Sequence, residues 1–176
     1  MNSDSSGPPT GLRGKRTQLD AIDLQILDQL QRDARQTNMQ LAARVSLSPS
    51  ACLSRVKRLE KSGVIAAYRA VINLAHIGSS LKVIAHVTLE HHRSQDFRRF
   101  DNAVAAIPEV VEAHQVNGAF DYALTIVCRD IDRYREINDQ IVDGQLGVGK
   151  VESHIVLTTT RPFSGVALSA LVKPVK

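Results

Sequence analysis

Between Ser48 and Lys61 the chain places small side chains just ahead of a run of cations. Ser48, Pro49, Ser50, Ala51 and Ser54 are small enough to let a backbone approach a base edge. Arg55, Lys57 and Arg58 have the length to reach guanine or phosphate oxygens. On a helix, Cys52, Leu53, Val56 and Leu59 turn inward, which leaves Ser50, Ser54, Lys57, Arg58 and Lys61 mostly outward. The later cations would then set the helix on a phosphate backbone, while the earlier small residues select sequence.

Charge distribution agrees. Residues 1–72 hold 11 Lys/Arg against 6 Asp/Glu, whereas the 11 Lys/Arg of residues 73–176 are outweighed by acids, so polyanion contact belongs to the N-terminal part. Trp is absent and aromatics are few, which disfavours single-strand binding by base stacking. Double-stranded DNA is the expected partner.

Other chemistry is less well supported. His91 and His92 are adjacent at a strand end and point oppositely, and His86, His114 and His154 fall on three different strands. No Cys-x-x-Cys or His-Glu-x-x-His spacing occurs, so neither metal nor cofactor is expected, while a metal or pH-sensing site shared by His86, His114 and His154 stays open. Gly144, Gly147 and Gly149 lack the Lys-Ser/Thr of a phosphate loop, and no nucleophile–base pair stands out, so an enzyme is not expected. Two cysteines make no disulfide framework. With no secretory layout and no window approaching a membrane span, a cytoplasmic protein without membrane contact is expected.

The elements that must position these residues follow from periodicity. Residues 1–18, rich in Ser, Gly and Pro, are expected to be a disordered tail. Over 19–68, Ile22, Ile26, Leu27 and Leu30 mark a first helix, and Thr37 or Asn38 caps a second carrying Leu41, Ala42 and Val45. Ser48 caps a third that begins at Pro49 and stops at Gly63. Three short helices with a tight break before the third describe a helix-turn-helix. Residues 64–72 read as a short strand or two, and 69–80 as a linker strand.

Residues 81–160 alternate as strands 81–90, 110–116, 122–129 and 151–160 around helices 94–107 and 131–142. That is the βαββαβ, ferredoxin-like order, so the fold class is α+β. Residues 161–176 form a C-terminal tail, with an edge strand possible at 166–172.

The runs LDAIDLQIL (19–27), LSPSACLSRVKRLEKSGVI (47–65) and VNGAFDYAL (116–124) carry a close resemblance to the leucine-responsive/asparagine regulator family (Lrp/AsnC), over about residues 19–160. The resemblance implies a winged-type helix-turn-helix joined to an effector-binding and oligomerisation domain. It implies a homodimer with its sheets face to face, assembling to tetramers or octamers and reading pseudo-palindromic sites. It also implies a pocket between subunits for an amino-acid effector. By motif position this pocket falls at Gly118, Asp121 and Tyr122, with His154, Ile155 and Val156 facing them. Asp121 can meet an ammonium, and amides around Gly118 a carboxylate; a plain turn-capping role for Asp121 stays open. Two other functions also stay open: an architectural protein that wraps DNA without an effector, and a ferredoxin-like metabolic enzyme, or its amino-acid-binding regulatory subunit, with a helical appendage. The sequence departs from the family at Ser46, where a Gly is common before Leu-Ser-Pro, and in its longer C-terminal tail.

Overall fold

A computed structural model describes residues 17–173, so nearly all of the expected disordered tail lies outside the described residues. The described residues form two compact units, one built from 17–70 with 162–173, the other from Val71–Arg161.

The first unit holds α1 (Ala21–Arg32), α2 (Asn38–Arg44) and α3 (Pro49–Lys61). Each starts where a side chain satisfies orphan N–H groups. Asp20 and Asp23 form a reciprocal capping box on α1, Thr37 and Gln40 do the same on α2, and the Ser48 hydroxyl accepts from the Ala51 N–H ahead of Pro49. Leu24, Ile26, Leu27, Leu41, Ala42, Val45, Cys52 and Leu59 close into one buried cluster. Gly63, at φ +73°, ends α3 in the left-handed region that the missing Cβ makes cheap.

The α2–α3 turn needs the same conformation from a residue that has a Cβ. The Leu47 N–H reaches the Ala42 carbonyl at 2.9 Å and the Ser46 N–H the Ala43 carbonyl at 3.4 Å, a Schellman closure. Ser46 sits at its left-handed position with φ +55°. Ser46→Gly is therefore expected to stabilise this unit by about 0.5–1 kcal/mol, read as a higher urea midpoint with unchanged slope. A lower midpoint would show that the serine side chain outweighs the backbone strain.

Three expectations are corrected here. Neither the short strands expected at 64–72 nor the linker strand expected at 69–80 forms, since these residues enter no ladder among the described residues, and Leu74–His76 is a single 3₁₀ turn. The stretch 166–172 is not an edge strand. The Gln31 side-chain amide donates to the Val166 carbonyl (3.2 Å) and accepts from its N–H (2.7 Å), doing what a strand neighbour would do. A short helix, α6 (Leu168–Leu171), then sets Leu168 and Val172, one turn apart, against the helical cluster.

The second unit is a four-stranded antiparallel sheet in the order β2-β3-β1-β4, with β1 Leu81–Leu89, β2 Val110–Gln115, β3 Tyr122–Cys128 and β4 Val148–Ile155. Helices α4 (Ser94–Ala105) and α5 (Ile131–Asp143) cover one face. Phe100, Val104, Tyr134, Ile137 and Ile141 meet Val83, Ala85, Val87, Leu124 and Ile126 there. Strand β4 starts three residues before its expected position and ends at Ile155. The Glu90 N–H takes the Gly147 carbonyl at 2.8 Å, and a register shift at Thr88/Leu89 brings Val148 into the ladder.

The other face of the sheet carries two cross-strand rows. One is Glu112, Thr125, Ile84 and His154; the next is His114, Ala123, His86 and Glu152.

Candidate nucleic-acid interface and ligand-binding turn

Helix α3 presents two chemically distinct sides. Ser50, Ser54, Lys57 and Lys61 follow one another at four-, three- and four-residue spacing, and all are exposed, as are Ser48, Pro49 and Ala51. The Ser48 and Ser50 hydroxyls lie 3.2 Å apart, and the Asn38 side-chain amide donates to the Pro49 carbonyl at 2.8 Å, tying α2 to the start of α3.

Arg55 and Arg58 turn toward the start of α1. Arg55 Nη1 donates to Asp20 Oδ2 (2.6 Å) and Asp23 Oδ1 (2.9 Å), and Arg58 Nη2 donates to Asp23 Oδ2 (2.5 Å). Asp23 is 1% exposed, so two guanidiniums close over a buried carboxylate at the start of α1. Burial alone would raise the Asp20 carboxyl. Hydrogen bonds from Arg55 and from the Asp23 and Ile22 N–H groups outweigh it and hold Asp20 below the usual carboxylate range. Sequence reasoning missed this clamp, although a signal existed: Arg55 lies three residues after Cys52 and four before Leu59, on the buried stripe. Leu53, expected in the core, is instead 42% exposed, because one position past Cys52 it falls to the side of the buried Cys52–Leu59 stripe.

The turn read as a candidate ligand site joins β2 to β3. The Val116 N–H takes the Asp121 carbonyl at 2.8 Å, and the Asp121 N–H takes the Val87 carbonyl at 2.9 Å. Gly118 holds φ +147°, where any Cβ is strained. The Asp121 carboxylate is already engaged, accepting from the Leu89 N–H (2.7 Å) and lying 3.0 Å from His92 Nε2. Tyr122 turns into the core, 2% exposed against Phe100, and its hydroxyl donates to Asp101 Oδ1 at 2.7 Å. Burial, followed by Asp101, pushes that phenol well above its ordinary value.

Within one chain the structure does not gather all six expected ligand residues. Val87, beside Asp121, lies four residues along β1 from Val83, the partner of Ile155, and five from Lys82, whose carbonyl accepts the Val156 N–H. That is about 13–17 Å at the rise of a strand. His154 comes nearer, through His86, which stacks on Phe120 with ring centroids 3.9 Å apart.

The three histidines read from sequence also divide. His86 and His154 come together with Glu152, their ligand atoms within 4.8 Å of one another. His114 stands two strands from His86, about 10 Å at sheet spacing. Glu152 was not singled out because cross-strand register, rather than sequence spacing, sets its neighbours. Cys52 and Cys128 are free, and burial raises both thiols above their ordinary value, opposite to what an activated nucleophile needs. No helix among the described residues is long and apolar enough to cross a membrane.

A three-helix unit with a capped, cation-bearing third helix, joined to a split βαββαβ sheet, defines a DNA-binding regulator with a separate ligand-binding domain. Residues 19–66 match the family described as winged helix-turn-helix DNA-binding, and residues 82–166 the family described as Lrp/AsnC ligand binding domain. A leucine-responsive regulatory protein from Haemophilus influenzae is 40% identical over 139 residues, covering 79% of this chain and 84% of that protein. The leucine-responsive regulatory protein of Escherichia coli is 38% identical over the same length, covering 79% and 85%. Among solved structures, a transcriptional regulator from Neisseria meningitidis, crystallised with L-Met, superposes with a TM-score of 0.81 at 29% identity, covering 88% of this chain and 99% of that one. An AsnC family regulator from Agrobacterium tumefaciens gives 0.81 at 26% identity, covering 88% and 100%. The chain belongs to the Lrp/AsnC family of DNA-binding transcription regulators.

Proposed function

We propose that this regulator binds double-stranded, pseudo-palindromic DNA through α3 and answers to an amino acid held at the β2–β3 turn. The observation that carries the first half is the division of α3. One flank is locked to α1 by Arg55 and Arg58, and the adjoining solvent side offers Ser50, Ser54, Lys57 and Lys61. Arg58 is 46% exposed along its side chain and can also face phosphate. The amino-acid reading draws on the family and on relatives named for leucine or crystallised with L-Met. The role is regulatory rather than catalytic, in the cytoplasm.

The assembly is a homodimer joined through the open sheet face, where Ile84 is 37% exposed beside Thr125 and Ala123, with further association to tetramers or octamers. Pairing of subunits also explains the separation of Asp121 from Ile155 and Val156, since a pocket between copies can draw its two walls from different chains. Tyr122 then contributes by holding the turn from beneath, while Gly118 and Asp121 meet the ligand.

The test is a gel-shift titration on the DNA upstream of the protein's own coding region, at fixed salt, with each amino acid added in turn. A sequence-preferring shift altered by one amino acid is expected. Asp121→Asn keeps an acceptor for the Leu89 N–H but loses the charge for an ammonium, so it should keep the shift and lose the response. A response unchanged in that variant would remove Asp121 from the ligand site. A specific shift that no amino acid moves would favour an architectural role.

A further inference from the structure

We propose that the open face of the sheet carries a binding site for a divalent transition-metal ion, held by His86, Glu152 and His154. The register builds it. His86 on β1 stands directly opposite Glu152 on β4, and His154 follows two residues along β4 on the same face. Their ligand atoms lie within 4.8 Å of one another. A tetrahedral zinc ion with bonds of about 2.0–2.2 Å sets its ligands roughly 3.3–3.5 Å apart, so rotamer adjustment closes the set without moving the strands.

The donor chemistry chooses the metal. Two imidazoles and one carboxylate suit Zn²⁺, Co²⁺, Ni²⁺ or Cu²⁺, whereas Mg²⁺ and Ca²⁺ take oxygen. Three protein ligands leave a fourth position for water or for a group from a second copy. The frame is stiff, because all three residues stand on paired strands and the His86 ring is held face to face on Phe120, 6° from parallel. Lys150 works against the metal. Its ammonium sits 2.6 Å from Glu152 Oε1, and an incoming cation must displace it.

The site does not depend on the amino-acid reading, nor on the sheets pairing. If they pair over this face, the metal is enclosed and its open position faces the second copy.

The test is equilibrium dialysis of the full chain against Zn²⁺ alone, with bound metal measured per chain, and Co²⁺ substituted to follow its visible absorption. One ion per chain is expected. His86→Gln and His154→Gln should each lower affinity by at least about tenfold and abolish the Co²⁺ band, with Glu152→Gln weaker in effect. Lys150→Met should tighten binding severalfold, and His114→Gln should change nothing. Glu152 and His154 are exposed within one chain, so their variants, checked for unchanged subunit assembly, carry the test if His86→Gln misfolds. No bound zinc, binding that survives loss of His154, or binding abolished by His114→Gln would each overturn the proposal.

Discussion

Asp23→Ala is expected to remove about 2–4 kcal/mol from the helix-turn-helix unit, through the loss of charge-assisted hydrogen bonds and a helix cap at a buried carboxylate. Asp23 is 1% exposed and does three jobs: it caps the Asp20 N–H (3.1 Å), accepts from Arg55 (2.9 Å) and accepts from Arg58 (2.5 Å). Removing it breaks the capping box, releases Arg58 and leaves Arg55 with Asp20 alone. A whole small domain holds only about 5–15 kcal/mol, so this loss leaves little margin. Urea unfolding followed by far-UV circular dichroism should show an early transition for the helical unit, while the sheet unit unfolds as before. Asp23→Asn should fall between the two, keeping acceptors but not charge. A midpoint unmoved in Asp23→Ala would mean that the arginines are held by something other than this carboxylate.

Acid should act on the same clamp. Because the Asp20 carboxyl is held below its ordinary value, its stabilising contribution is complete above the unfolded pKa of about 4. It is lost as pH falls through the lower folded value. The helical unit is thus expected to loosen only in strong acid.

Local signals made most of this architecture legible. Thr37, Ser48 and Gly63 each act at one position by a mechanism the residue itself carries, and the structure uses them as read. The strict alternation of Leu81–Leu89 likewise appears as buried Val83, Ala85, Val87 and Leu89. What escaped depends on partners distant in sequence. Asp20 and Asp23 read as acids at a helix start, which they are, but Arg55, 35 and 32 residues on, makes them an ion-pair cluster. Residues 64–73 have strand composition, yet composition supplies no neighbour. The tail at 166–172 has apolar residues for a strand, but Gln31, 135 residues away, takes both of the backbone groups at Val166. Tyr122 belongs by motif to the expected ligand turn, yet the pleat turns it to the helix side beside Leu124 and Ile126.

That clamp changes how DNA-binding variants should be interpreted, and Lys57→Glu is the variant that separates the two sides of α3. Lys57 is exposed between Ser54 and Lys61, away from the acids of α1. Reversing its charge should leave the urea midpoint unchanged while weakening specific DNA binding by about 1–3 kcal/mol per helix, roughly tenfold to hundredfold. Because neutralising a phosphate releases counterions, the slope of log affinity against log salt should also become shallower by about one for each phosphate that the variant leaves unneutralised. Arg55→Ala should weaken DNA binding for a different reason. It undoes the α1–α3 clamp, so its drop in affinity should track unfolding of the helical unit, and Arg55→Lys should restore part of both. If Lys57→Glu bound normally while Arg55→Ala bound weakly at full stability, the DNA-facing side of α3 would have to be the one now turned toward Asp20 and Asp23. The clamp would then have to open on binding, at the cost of stranding Asp23 in the core. The 1% exposure of that carboxylate is the physical reason to expect the opposite result.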